Sequence, residues 1–229
     1  IGIHNGKVAI AQPVTGKLLT RGAIDLSGTI GNGFEYRSGG GSWIGHATTA
    51  MSSVTNHGRV TLQTFDGGYD TQMTGSMTNA SDGTWSMLAG GAGTRRANGT
   101  FVNQGRLTVE DVRAEFRGTL TNTNVIDVKG TGYVECFDTP TFNMNSGSLK
   151  TAVHFWLHGG TINLQAGTLE GRVGIQNGSV VFKPNSSVQG TVVATGTSQV
   201  TGKINSGASI KAAGSSTWSH ANLTMNDVQ

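Results

Sequence analysis

The side chains with most chemistry to offer are 13 carboxylates spread thinly along 229 residues. The densest set is Glu110, Asp111 and Glu115, with Arg113 and Arg117 between them, and Asp66 and Asp70 form a second. Two carboxylates about 5 to 9.5 Å apart could hydrolyse a glycosidic bond, one as acid and the other as nucleophile or base. In a strand, however, Glu110 and Asp111 point to opposite faces, so adjacency does not pair them. Neither set recurs one repeat away with a partner, and surface ion pairs account for both. On this reading the chain is not an enzyme, and no catalytic residue is assigned.

The histidines are His4, His46, His57, His154, His158 and His220. His154 and His158 have the spacing of a zinc-binding HExxH helix, but the glutamate is missing. In a strand they share a face about 13 Å apart, too far for one metal. No metal and no cofactor is therefore expected, and there is no P-loop, nucleophile elbow or dinucleotide fingerprint. Cys136, the only cysteine, reads as a small buried hydrophobe. Flat rings beside polar groups suit sugar recognition, which makes Tyr36, Trp43 and Tyr69 candidate glycan contacts. The competing reading is that these rings cover the core beneath loops. Thr100, Thr119, Thr141 and Thr161 recur at one position, as strand formers on a solvated face or, more remotely, as an ice-binding row.

These residues need a scaffold, and composition says which. Glycine is abundant at 36 residues, proline scarce at 3, and charged residues make up only 13%. Thr, Ser and Asn take the place of Lys and Glu, which favours strands and turns over helices. The formal charge of +3 is dispersed, with no basic stripe, so nucleic acid is not an expected partner. No apolar run approaches the length of a membrane span.

An internal repeat organises the chain. Phe101-Val102-Asn103-Gln104-Gly105-Arg106-Leu107 is nearly Val54-Thr55-Asn56-His57-Gly58-Arg59-Val60 again. Turn positions fall at 58, 83, 105, 124, 147, 167, 186 and 207, which are 19 to 25 residues apart. A Gly-Ser/Thr mark precedes the aliphatic residue, as in Gly75-Ser76-Met77, Gly99-Thr100-Phe101 and Gly118-Thr119-Leu120. Short strands of this kind cannot bury an apolar face alone, so coiling must stack each on its counterpart. The expectation is an all-β, right-handed parallel β-helix of about ten coils, roughly 50 Å long at the spacing between strands. It is one domain over 1–229, with loop insertions over 31–53 and 64–73. Gly and Asn are expected to supply positive φ at the corners. Asn56, Asn79, Asn103, Asn122, Asn163 and Asn205 are expected to stack as a structural ladder.

The phrases Gly99–Val109 and Gly118–Val128 resemble the passenger regions of autotransporters and filamentous-haemagglutinin-like two-partner secretion proteins. That resemblance implies a secreted or cell-surface bacterial module with a structural or adhesive role. The ends show no capping helix, and the chain, which begins at Ile1, reads as a processed product or a segment of something longer. The expected partners are other copies of the chain, in an oligomer or filament, or neighbouring domains of a longer chain, and surface glycans. No membrane insertion is expected. A pectin-lyase-like polysaccharide-binding or polysaccharide-degrading role is the alternative.

Overall fold

Short alternating segments punctuated by glycine build strands and little else. The computed structural model describes residues 1–11, 13–214 and 221–226, and these contain nineteen β-strands and no helix. His220 lies outside the described residues. The strands pair in parallel, and away from the two ends of the described stack each has counterparts one turn before and one turn after. The result is a parallel β-solenoid of about ten turns and about 21 residues per turn.

One coil shows the plan. The strand Arg113–Asn122 bends at Gly118 and supplies two faces, the first at 113–117 and the second at 119–122. The strand Val125–Lys129 supplies the third. Alternate side chains point inward and stack on those of the neighbouring coils. Met73, Ala97, Phe116, Cys136, Leu157 and Ile175 line the first face. Met77, Phe101, Leu120, Phe142 and Ile162 line the second, and Val60, Trp85, Leu107, Ile126 and Leu149 the third. All are buried, and Trp85 meets Phe101 edge-on at 4.9 Å. Removing these columns from water is the main stabilising term available to a chain of short strands.

The glycines have two separate causes. At the bend between faces, Gly99 and Gly118 have φ of 116° and 114°, a region that penalises any side chain. The turn glycines Gly83 and Gly105 keep ordinary φ, but a Cβ there would strike a carbonyl oxygen of the preceding coil. Asn5, Asn177 and Asn185 do take positive φ as expected, but the ladder asparagines do not: at their corner close approach, not chirality, sets the shape.

Two further expectations change. Most of 31–53 belongs to the stack, as the strands Phe34–Ser38 and Ala47–Asn56, and the true excursion is the short segment between them. Late in the chain Gly167 pairs with Val188 and not with Ser186, because extra residues bulge out between Phe182 and Ser187.

Candidate functional site

Outward side chains of the first face also stack into columns, and here charge and aromatic rings concentrate. One column runs Gln72, Arg96, Glu115, Glu135, Trp156, Gly174, Val193 and Lys211. Beside it runs Asn98, Arg117, Phe137. Glu115 is only 3% exposed and is held by Arg96 at 2.8 Å, Arg113 at 3.0 Å and Arg117 at 3.3 Å. The same Arg113 nitrogen lies 2.9 Å from Glu135, which also meets His158 at 3.3 Å. Arg96 continues to Asp70, and Arg117 to Asp138 at 2.9 Å. One acid from each of the two sets that look separate in the sequence, Glu115 and Asp70, therefore belongs to a single network through Arg96. The expectation that neither set finds a partner one repeat away is corrected.

The network sets its own protonation. Burial pushes the Asp70 carboxyl up, but the Thr94 amide and the Arg96 guanidinium outweigh it, leaving Asp70 below the usual carboxylate range. Burial pushes Arg96 down, and its bonds to Glu115 and Asp70 reverse this, leaving it raised. Burial, with Arg172 and His158 adding to it against Glu135, holds His154 below the ordinary imidazole value. Glu115 and Glu135 share one guanidinium nitrogen, so the two carboxylates lie close together, and cations occupy the space a sugar would need between them.

Aromatic rings cover the next coils. Phe137 stacks on His158 with ring centres 4.5 Å apart, and Arg113 and Arg117 each lie 5.8 Å from the Phe137 ring. Tyr133 lies against His154 at 4.9 Å. The Trp156 indole lies over Gly174, where a Cβ would collide with the ring, and the Arg172 guanidinium sits 5.2 Å from its centre. Shallow recesses bracket the face. One of about 250 Å³ is lined by His46, Asp70, Gln72 and Arg96, and one of about 360 Å³ by Arg172, Thr191, Val193 and Lys211. A larger groove of about 540 Å³ lies near Lys17, Glu35, His57 and Asp82. Lys17 is paired there with Glu35 at 3.1 Å and His57 with Asp82 at 2.8 Å, while Arg59 on the same groove has no ion pair among the described residues.

No family model matches this chain, and no curated protein or solved structure matches it either. The resemblance to secreted passenger repeats therefore rests on the repeats alone, and the site must be read from its own chemistry.

The sequence-derived candidates are scattered. Tyr36 points into the solenoid, fully buried, with its hydroxyl 2.8 Å from both Thr20 and Thr49, and burial pushes its phenol up. It cannot meet a glycan at the surface. Trp43 is 92% exposed at the tip of the excursion closed by Gly41 and Gly45, which Ser42 ties to Asp66. Tyr69 is half-buried and meets His46 edge-on at 5.8 Å. Asn56, Asn79, Asn103 and Asn122 stack inside, each amide donating to the next at 2.7 to 2.8 Å. Asn163 lies one residue off that column and donates to Asn143 at 2.9 Å, and Asn205 donates to the Val188 carbonyl at 2.8 Å. Neither belongs to the ladder.

Glu110 is exposed and Asp111 caps a turn, accepting from the Thr131 amide at 2.8 Å. Cys136 is buried in the core, which pushes its thiol up. Among the described residues, no three His, Cys, Asp or Glu side chains come together as a metal site. Arg96, Glu135, Trp156 and Arg172 went unnoticed in the sequence. Arg96 and Glu115 each stand four residues before the Thr of the Gly-Thr mark, and that shared phase is the signal that could have joined them.

Proposed function

We propose that the chain is a structural and adhesive module of an extracellular bacterial surface or filament-forming protein. It extends by stacking coils and offers its side faces to surface partners. The observation that carries this reading is the parallel stack itself, in which every coil offers a strand on which a further coil can pair. The strand Gly2–Ile10 pairs with Gly16–Ile30 and, among the described residues, with no other strand. Ile3, Val8 and Ile10 are only partly buried against the core. A parallel edge with unpaired amides and carbonyls above half-covered apolar side chains is a template for another parallel strand.

Light scattering over a range of concentrations, with negative-stain images of the same samples, tests this. Rods that lengthen with concentration are expected, and lysines at Ile3 and Val8 should suppress them by charging the edge. A monomer at every concentration, unchanged by those lysines, would remove the self-assembling part of the proposal.

A second reading, polysaccharide binding, is favoured by one observation: the Trp156 indole laid flat against the first face beside a recess carrying two cations.

A further inference from the structure

We propose that Trp156, Arg172 and Lys211 form a binding site for an acidic saccharide, one carrying uronic acid carboxylates. The inference rests on the adhesive half of the function proposed above and names its ligand class.

The platform is built by the sequence of one column. Trp156, Gly174, Val193 and Lys211 succeed one another along the axis. Gly174 leaves a bare stretch of sheet where the indole can lie down, which an alanine would block. One ring face is spent on the sheet and the side chain remains partly exposed. Sugar rings present flat C–H faces, and a flat indole covers them while their hydroxyls stay in water.

The charge comes from the coils beyond. The Arg172 guanidinium lies over the indole ring, 5.2 Å from its centre, and Lys211 lies three rungs on from Trp156, about 14 Å along the axis at the spacing between parallel strands. That length suits an oligosaccharide. Both cations are exposed and line the recess of about 360 Å³ together with Thr191 and Val193. Neither forms an ion pair among the described residues, and Glu170 nearby is taken by Lys150 at 3.2 Å. This separates them from Arg96, Arg113 and Arg117, whose charges are already met by Glu115, Asp70, Glu135 and Asp138. Thr191 and Ser209, hydrogen-bonded at 2.7 Å, add hydroxyls beside the cations. An aromatic platform followed by two unmatched cations complements a sugar chain with negative charge and lacks what would favour a neutral one.

The test uses the full chain with hexagalacturonate, hyaluronan hexasaccharide and the neutral cellohexaose, each titrated by calorimetry and by tryptophan fluorescence. A uronate hexasaccharide is expected to bind at least tenfold more tightly than cellohexaose, with affinity falling as salt rises. Lys211→Ala touches no buried group, so it keeps the fold, and it should lower uronate affinity several-fold and flatten the salt dependence. Trp156→Ala should lower affinity tenfold or more and abolish the fluorescence change. Gly174→Ala, which displaces the indole and spares both cations, should weaken binding and leave the salt dependence intact. Equal affinity for cellohexaose, lost in Trp156→Ala, would overturn the acidic class and leave the adhesive reading standing. Absence of binding to all three, or uronate binding unchanged in both Trp156→Ala and Lys211→Ala, would overturn the inference.

Discussion

At the scale of the residue, two buried ions are treated in opposite ways. Glu115 is 3% exposed and surrounded by three guanidinium groups. Arg95 is fully buried and has no carboxylate bonded to it: it donates to the Leu88 carbonyl at 3.0 Å, the Gly93 carbonyl at 3.1 Å and the Thr64 hydroxyl at 3.0 Å. Burial pushes its guanidinium down to about 10, so it still carries its charge at neutral pH. Removing one partner from a buried ion pair leaves the rest uncompensated, at a cost of about 3–5 kcal/mol, whereas replacing a buried ion by an apolar group of similar size is often close to neutral. Glu115→Gln should therefore lower the urea midpoint by an amount equivalent to about 3 kcal/mol, because three cations lose their counter-charge. Arg95→Met should cost less, since the lost bonds to two carbonyls are offset by removing a desolvated charge. Equal losses in the two variants would mean that Arg95 matters as a tie across its corner and not as an ion.

At the scale of the element, the asparagine ladder shows how a single column sets local stability. It runs from Ile30 through Asn56, Asn79, Asn103 and Asn122 to Met144, then Leu164 and Phe182. Asn103 accepts from Asn79, donates to Asn122 and also donates to the Val125 carbonyl at 2.9 Å. Asn122, at the end, accepts from Asn103 and donates to the Asn124 carbonyl at 3.0 Å, with the Ser146 carbonyl at 3.3 Å and the Met144 sulfur at 3.5 Å beyond it. Each buried polar group left unsatisfied costs about 1–3 kcal/mol. Asn103→Leu breaks two amide–amide bonds and Asn122→Leu breaks one while freeing the Asn124 carbonyl, so both should destabilise by about 1–3 kcal/mol or more, Asn103→Leu the more, and thermal melts of the two variants would measure it. The coil repeat itself was legible because its glycine punctuation recurs in most units, Asn124 and Ser186 being the exceptions among the turn positions. The end of the ladder was not: at Asn143 and Asn163 the asparagine shifts by one residue, and in a strand a shift of one turns the side chain from core to surface. Tyr36 falls on an inward position of the strand Phe34–Ser38, which assigns it to the core-covering reading of the two open in the sequence. The ionic face stayed hidden because its partners stand about one turn apart in the chain, as Arg96 and Glu115 do, and the turn length varies along the chain, so no fixed spacing marks them.

At the scale of the molecule, each coil touches only the coil before and the coil after, so stability is a property of position along the axis. The strands Arg106–Glu110 and Val125–Lys129 have a paired strand on both sides and no exposed edge. Their amides should exchange with solvent only when a large part of the solenoid opens. Those of Gly2–Ile10 are paired on one side and lie over half-covered side chains, so local fraying should free them. Hydrogen exchange on the dilute chain should therefore show protection rising from Gly2–Ile10 to a plateau by Arg95–Asn103. The same gradient bears on assembly. If the edge at Gly2–Ile10 accepts a strand from the far end of a second copy, protection of Gly2–Ile10 and of Ala221–Asn226 must rise with concentration while the plateau stays fixed, because only the end coils gain a neighbour. A concentration-dependent gain elsewhere, on the outward amides around Trp156 for instance, would mean that copies meet side to side. Low protection of Gly2–Ile10 at every concentration would mean that the edge does not pair with itself, and the module would then act through its faces alone.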